Sequence, residues 1–256
     1  MIKKEELTDF FNTALNPKTF KDFCPNGLQI ESDKENIEKI SFAVTATQES
    51  IDNSKNSDVL VVHHGLFWNY QGPLTITGNH GKRVKTLIKN ETSLFAYHLP
   101  LDAHRFIGNA AVLAKLIGIE EVSPFGDYKG CFTGVSGSFG KSKMTVGTLK
   151  DKLSKVLNHD VIISTDNLDK QINSVGIITG AAQNDWRMAL DADLDCFITG
   201  EINHHSWTDS RESDLTLFSC GHEATEELGI KALMSATKEK FFDLIEVEFL
   251  PSKNPV

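Results

Sequence analysis

The sequence predicts an α/β fold with mostly parallel sheets, built from two β/α repeats. Three observations carry that reading. Short apolar, β-branched runs such as Val59-Leu60-Val61-Val62 alternate with helical patterns as far as Ile117. From Asn173 onward a second series of runs returns in the same order. Several runs end in histidine, glycine or an acidic residue, and the carboxyl ends of strands are where open α/β sheets line their crevices.

The first segment carries Leu7, Phe10, Phe11, Ala14 and Leu15 at helical spacing and stops at Asn16-Pro17. Cys24-Pro25-Asn26-Gly27-Leu28-Gln29 reads as loop chemistry, with Asn-Gly supplying a tight turn. A strand over 39–45, a short polar helix from Gln48 and a buried strand over 58–64 follow. The last of these ends in His63-His64-Gly65. Neighbouring strand residues point to opposite faces, so both imidazoles serve one site only if the backbone turns there, which Gly65 permits. A loop through Gln71-Gly72-Pro73 leads to a helix bearing Val84, Leu87 and Ile88. The run 93–98 is a third strand ending in histidine, and a helix covers 109–117.

The middle of the chain changes character. The stretch 131–139 is rich in glycine and serine and reads as an exposed or edge strand. A helix with Val146, Leu149, Leu153, Val156 and Leu157 comes next, then a strand at 161–163. In the returning series, 175–180 parallels 42–45, 194–201 parallels the strand ending at His63-His64, and 215–222 parallels the strand ending at His98. Asp193 stands to the second series as Asp58 does to the first. The repeats therefore fall at about 1–125 and 126–256, without a clean linker, and 243–250 closes the chain as an edge strand.

Composition narrows the function. Among 256 residues, 40% are hydrophobic and 24% charged, ordinary for a soluble globular protein. There is no apolar run of transmembrane length, and the segment Met1–Glu6 lacks the apolar core of a signal peptide. Four scattered cysteines without C-x-x-C spacing read as reduced thiols, so a cytoplasmic protein is expected. The net charge of -9 argues against a large nucleic-acid surface, a local basic patch aside, and favours a small-molecule substrate, or anionic substrates drawn by a bound cation.

Three predicted strands end in potential ligands: His63-His64, His98 and His222. Two continue as His-x-x-x-acid, to Asp102 and to Glu226. A helix starting near Glu223 puts His222 and Glu226 one turn apart on one face, whereas Pro100 forbids a regular helix between His98 and Asp102. Imidazole with carboxylate, and no thiolate, selects Zn, Fe, Mn, Co or Ni over Ca or Mg. Four histidines and two carboxylates exceed what a single tetrahedral site needs, and two neighbouring ions account for the surplus.

These motifs, with Cys24-Pro25-Asn26-Gly27-Leu28-Gln29, Val62-His63-His64-Gly65-Leu66-Phe67-Trp68, Gly108-Asn109-Ala110, Thr199-Gly200-Glu201 and Gly221-His222-Glu223-Ala224-Thr225-Glu226, run in order along nearly the whole chain. Together they resemble the dinuclear-metal proteins called GTP cyclohydrolase 1 type 2 homologues. The resemblance implies two intertwined, pseudo-symmetric repeats with the metal site between them and a ring-shaped homohexamer. It implies ligation of two divalent ions by His63, His64, Asp102, His222 and Glu226, with Glu226 bridging. His98 then stands as an additional ligand or a proton-transfer group. Glu223 departs from the family, which usually has an aromatic residue or histidine there. His204 and His205 follow Glu201 on an expected helix, with at most one of them facing the cleft.

The expected chemistry is hydrolysis of a nucleotide or another small phosphate-bearing substrate. Paired cations acidify water and polarise the bond under attack, and His98 or Glu201 moves the proton to the leaving group. No G-x-x-x-x-G-K-[ST] phosphate loop is present, and the Gly/Ser-rich stretch 133–143 lacks its spacing. The rival reading is a metal-dependent binding or regulatory protein without turnover.

Overall fold

The computed structural model describes residues 1–72, 74–141 and 144–256. Pro73, in the expected loop, and Ser142 and Lys143, at the end of the Gly/Ser-rich stretch, lie outside the described residues. The elements begin β1 (Ile2–Lys3), α1 (Lys4–Leu15), β2 (Gly27–Ile30), β3 (Asn36–Ile37), β4 (Lys39–Thr45), α2 (Gln48–Asn53), β5 (Val59–His64), α3 (Gly78–Lys89) and β6 (Ser93–Ala96). They continue with α4 (Leu99–Asp102), α5 (Asn109–Ile117), β7 (Glu120–Tyr128), β8 (Cys131–Ser138), β9 (Met144–Thr145), α6 (Val146–Leu157), β10 (Ile162–Ile163), β11 (Gln171–Ile172) and β12 (Ser174–Ile177). The last are α7 (Trp186–Asp191), β13 (Cys196–Thr199), α8 (His204–Arg211), β14 (Thr216–Ser219), α9 (His222–Lys240) and β15 (Glu246–Phe249). Two compact units result, Met1–Leu101 with Ile230–Lys253 and Asp102–Gly229 with Asn254–Val256. The sequence expectation puts the boundary between its two repeats at about 125/126 instead.

The first unit is organised on a five-stranded sheet in the order β15-β4-β5-β6-β2. The β15, β4, β5 and β6 strands are mutually parallel, and β2 joins β6 antiparallel. Val59, Leu60, Val61 and Val62 are fully buried, each side chain stabilising the fold by about 1.5–3 kcal/mol relative to exposure. Ile51, Val84 and Leu87 from α2 and α3 cover Leu60, Val62 and Leu94 on one face. On the other, Phe11 of α1 packs its ring 5.8 Å from Phe95 and 5.4 Å from Tyr97. Gly27-Leu28-Gln29, expected as a loop, is strand: β6 supplies backbone partners that local turn chemistry does not reveal. The closing strand β15 lies at the sheet edge as expected; it pairs with β4, and Lys39 bridges Glu246 and Glu248 along it.

In the second unit six strands run β10-β14-β13-β12-β8-β7. Only β12, β13 and β14 are parallel; β7, β8 and β10 are antiparallel additions. Both sheets are thus mixed: the first is mostly parallel as expected, and the second mostly antiparallel. The β8 strand lies between β12 and β7, not at an edge; the edge is β7, whose glutamates and proline hid it from pattern reading. Leu113, Ile117, Leu149 and Leu153 of α5 and α6 pack with Val175, Ile177, Ile198 and Phe218 on one face. Trp186 and Ala189 of α7 pack with Phe197 and Leu217 on the other.

Each unit anchors a parallel strand start with a carboxylate. Asp58 Oδ2 accepts from the backbone N–H of Glu38 (2.9 Å) and Lys39 (3.1 Å). Its counterpart is Asp195, which accepts from Asn173 (2.8 Å) and Ser174 (2.9 Å), not the Asp193 that sequence spacing suggested. Asp193 is exposed in a turn at φ 53°. Among the described residues, no helix is long and apolar enough to cross a membrane.

Candidate metal centre

His63 and His64 are the last residues of β5, and His98 follows β6 by two residues. Although successive strand side chains start toward opposite faces, the three rings gather: centroids are 4.7 Å apart for His63–His64, 5.0 Å for His63–His98 and 5.7 Å for His64–His98. One nitrogen of each ring lies within 4.8 Å of the others. Gly65 contributes differently from the expectation. Its φ is outside the left-handed region. Instead, a Cβ there would lie 2.3 Å from Gln29 Oε1. The Gln29 amide is itself pinned, accepting from Leu66 N–H at 2.9 Å and donating to Pro25 O at 2.8 Å.

Each imidazole is aimed by a neighbour on Nδ1. His63 Nδ1 is 2.9 Å from Tyr97 O, His64 Nδ1 is 3.0 Å from Thr45 Oγ1, and His98 Nδ1 is 3.0 Å from Asp22 Oδ1. Hydrogen bonds of this kind fix ring orientation and assign Nε2 rather than Nδ1 to any ligand or proton. Asp22 also accepts from Leu99 N–H (3.0 Å) and Asn26 Nδ2 (2.9 Å), while Asn26 Oδ1 accepts from His98 N–H (2.7 Å). Burial alone would raise the Asp22 carboxyl. The hydrogen bond and charge of His98, with those two donors, outweigh it and hold the pKa at about 2. Asp22 lies outside the motifs read from the sequence, and Asn26 and Gln29 stand in the Cys24–Gln29 motif without a role that the sequence assigns them. Asp22, Cys24 and His98 also approach one another, but the hydrogen bond between Asp22 and His98 makes that group a positioning device.

The second unit holds the carboxylate-rich set. His222 opens α9, and its Nε2 lies 3.0 Å from Oε2 of Glu226 one turn on, the helical relationship expected from spacing. Glu201 Oε1 is 2.5 Å from His222 Nδ1, where it orients the ring. Between these two carboxylates, and against a desolvation that opposes it, the His222 pKa is pushed up to about 9. Asp102 ends α4, which is helical despite Pro100: the proline sits in the first turn, where its missing N–H is not needed. Fully buried Asn109 donates to Asp102 Oδ1 at 2.8 Å and accepts from Gly229 N–H at 2.6 Å, tying the carboxylate to the backbone of α9. Ligand oxygens of Asp102 and Glu226 lie within 4.8 Å of each other. Two carboxylates this close, one of them 3% exposed, repel unless a proton or a cation joins them.

The donor set of imidazole nitrogens and carboxylate oxygens fits a borderline divalent cation. Glu223 is buried beside His222. His204 and His205 are both exposed at the start of α8, capped by Asn203 rather than turned inward, and they belong to no candidate ligand group among the described residues.

The chain belongs to the Duf34/NIF3 (NGG1p interacting factor 3) family, whose model matches residues 2–255. It is similar to the protein called GTP cyclohydrolase 1 type 2 homolog of Haemophilus influenzae, 42% identical over 253 residues and covering 98% of each chain. The same-named protein of Pyrococcus abyssi is 36% identical, over 94% of this chain and 95% of that one. Among solved structures, a structural-genomics protein ybgI, of unknown function, superposes with a TM-score of 0.90 at 33% identity, covering 100% of both chains. A Thermus thermophilus protein does so with a TM-score of 0.87 at 29% identity, again over 100% of both.

Proposed function

We propose that the chain is a dinuclear, divalent-metal-dependent hydrolase acting on a nucleotide or another small phosphate-bearing substrate. The observation that carries this reading is the convergence, inside each unit, of ligands suited to such cations: three oriented imidazoles in one, His222 with two close carboxylates in the other. The residues that would hold the ions, drawn from Zn, Fe, Mn, Co or Ni, are His63, His64, Asp102, His222 and Glu226, with Glu226 the one that would serve both. Such a pair, when bound, acidifies water and stabilises charge developing on the bond under attack.

The remaining roles belong to the chain itself. His98, with Nδ1 held by Asp22, moves a proton through Nε2. Glu201 keeps His222 in its ligating tautomer and is the second proton carrier. The name borne by the relatives makes GTP, with opening of its imidazole ring, the first substrate to try. We place this activity in a cytoplasmic homohexamer whose two β/α repeats arose by duplication. Sedimentation at micromolar concentration tests the assembly, and a lone 28.4 kDa species would overturn it.

The deciding experiment compares metal-stripped protein with protein reconstituted with Mn, Zn, Fe or Co on a panel of nucleotides and phosphate esters. Turnover that vanishes on chelation and returns with metal is the expected result. Stoichiometric metal without turnover of any member would instead establish a metal-dependent binding protein.

A further inference from the structure

The first unit carries an aromatic cluster that the metal reading does not use. Phe23, Trp68 and Tyr70 form a triangle with Phe23–Trp68 and Trp68–Tyr70 centroids each 5.8 Å apart and both ring pairs tilted by 34°. Trp68 is fixed rather than loose: its Nε1–H donates to Gly65 O at 3.1 Å, and Asn69 N–H donates to Phe23 O at 2.8 Å. The indole also stands edge-on to His98, with centroids 5.3 Å apart and planes at 82°, and lies 5.9 Å from His64.

Beside this cluster opens a cleft of about 530 Å³, lined by Cys24, Pro25, Phe67, Trp68, Asn69 and Leu74, with Gly72 completing the rim. Its size lies within the range of pockets that take small molecules. No charged side chain is among the described lining residues, so they offer no counter-charge to a phosphate or carboxylate. It offers an anchored aromatic ring, a buried thiol and one neutral amide able both to donate and to accept.

We infer that this cleft is a subsite for a planar, uncharged heteroaromatic ring of nucleobase size, stacked on Trp68 and read at its edge by Asn69, with any phosphate directed out of the cleft. The inference deepens the hydrolase reading and rests on it for the reacting centre next door. Stacking on an aromatic side chain suits any base because every base has a π-face. The contact of Trp68 with His98 and His64 would place the bound ring beside the groups proposed to act on the substrate.

Calorimetric titration of the metal-loaded protein with guanosine, adenosine and ribose 5-phosphate tests it. Both nucleosides should bind, and ribose 5-phosphate at least about tenfold more weakly, since stacking is lost. Trp68→Ala should weaken nucleoside binding about tenfold or more, whereas Trp68→Phe, which keeps a ring face, should stay within about threefold. Leu74→Asp, on a partly exposed loop where folding is not at stake, should weaken it too by introducing charge. Nucleosides binding no better than ribose 5-phosphate would overturn the subsite. So would unchanged affinity in Leu74→Asp and in a folded Trp68→Ala. The two readings fail separately: nucleoside binding without metal-dependent turnover removes the hydrolase and keeps the subsite. Turnover of a ring-free phosphate ester, indifferent to Trp68→Ala and without nucleoside binding, does the reverse.

Discussion

Asp22 and His98, 76 residues apart in sequence, are joined by a 3.0 Å hydrogen bond from the imidazole Nδ1 to a carboxylate that is only 2% exposed. A buried carboxylate behind an imidazole fixes its tautomer and raises its basicity, and such partners are typically worth about 10–100-fold in activity or metal affinity. Asp22→Asn should therefore cut turnover by about 10–100-fold with metal content retained, and His98→Ala should do at least as much. Metal analysis alongside kinetics separates the alternatives. If His98→Ala strips the ions, His98 is a primary ligand and its proton-transfer role is wrong.

Gly180 explains why Glu226 can sit where it does. Its φ is +66°, and a Cβ on it would lie 2.2 Å from Glu226 Oε1. Its carbonyl accepts from Gly200 N–H (3.0 Å) and Glu201 N–H (3.1 Å), so the backbone cannot easily retreat. Gly180→Ala should cost about 1–3 kcal/mol from the backbone conformation and also displace the Glu226 carboxylate. Gly130→Ala is the control, because Gly130 is also left-handed, at φ +91°, but has open space around its Cβ. Denaturant midpoints should fall in both variants, and metal content in Gly180→Ala alone. Full metal content in Gly180→Ala would mean that Glu226 is not held there.

How much of this was legible beforehand depends on whether the signal was local. Paired histidines ending a β-branched run, and His222 four residues before Glu226 on a helix, are short-range patterns, and both stand in the structure. Asp22 was not legible, because nothing near it in sequence marks it and its partner arrives only when β6 is in place. Asn26 and Gln29 looked like turn residues, since Asn-Gly ordinarily is a turn; here their amides clamp the ends of β5 and β6. Asp193 is the acidic residue that precedes the run in sequence, but position alone cannot tell which carboxylate faces the neighbouring strand, and that one is Asp195. The antiparallel additions in the second unit were misjudged for a related reason: glycine and serine suggest an edge, whereas β8 is flanked on both sides.

The elevated pKa of His222, about 9 against an ordinary 6.5, predicts how the metal-free protein responds to pH. A group whose folded-state pKa is raised stabilises the fold fully below its unfolded value and loses that contribution as pH rises through the folded one. Thermal stability of the chelated protein should therefore decline between about pH 6.5 and 9 from this source. On the proposed ligation a cation would take the place of the proton between His222 and Glu226, so the loaded protein should lack this decline and bind metal more tightly as pH rises. His222→Gln, chelated, should flatten the slope. An identical slope in that variant would assign the pH dependence elsewhere.

The two carboxylates of the second unit should behave differently when neutralised. Asp102 is held from one side by Asn109 and ends a one-turn helix, a placement suited to a single ion. Glu226 lies one turn into α9, where the helix dipole favours its charge, 3.0 Å from His222 Nε2 and within 4.8 Å of Asp102. It is thus the better placed to serve two ions at once. Asp102→Asn should leave about one metal per chain, because the other ligands still hold the second ion. Glu226→Gln withdraws charge from both and should empty both positions or make them exchange rapidly. Both variants keep side-chain volume, so a stability loss near 1–3 kcal/mol from an unpaired buried group is the most that folding should suffer. Metal analysis after gel filtration reads the difference, and equal losses in the two variants, or a full complement in Glu226→Gln, would show that Glu226 does not bridge.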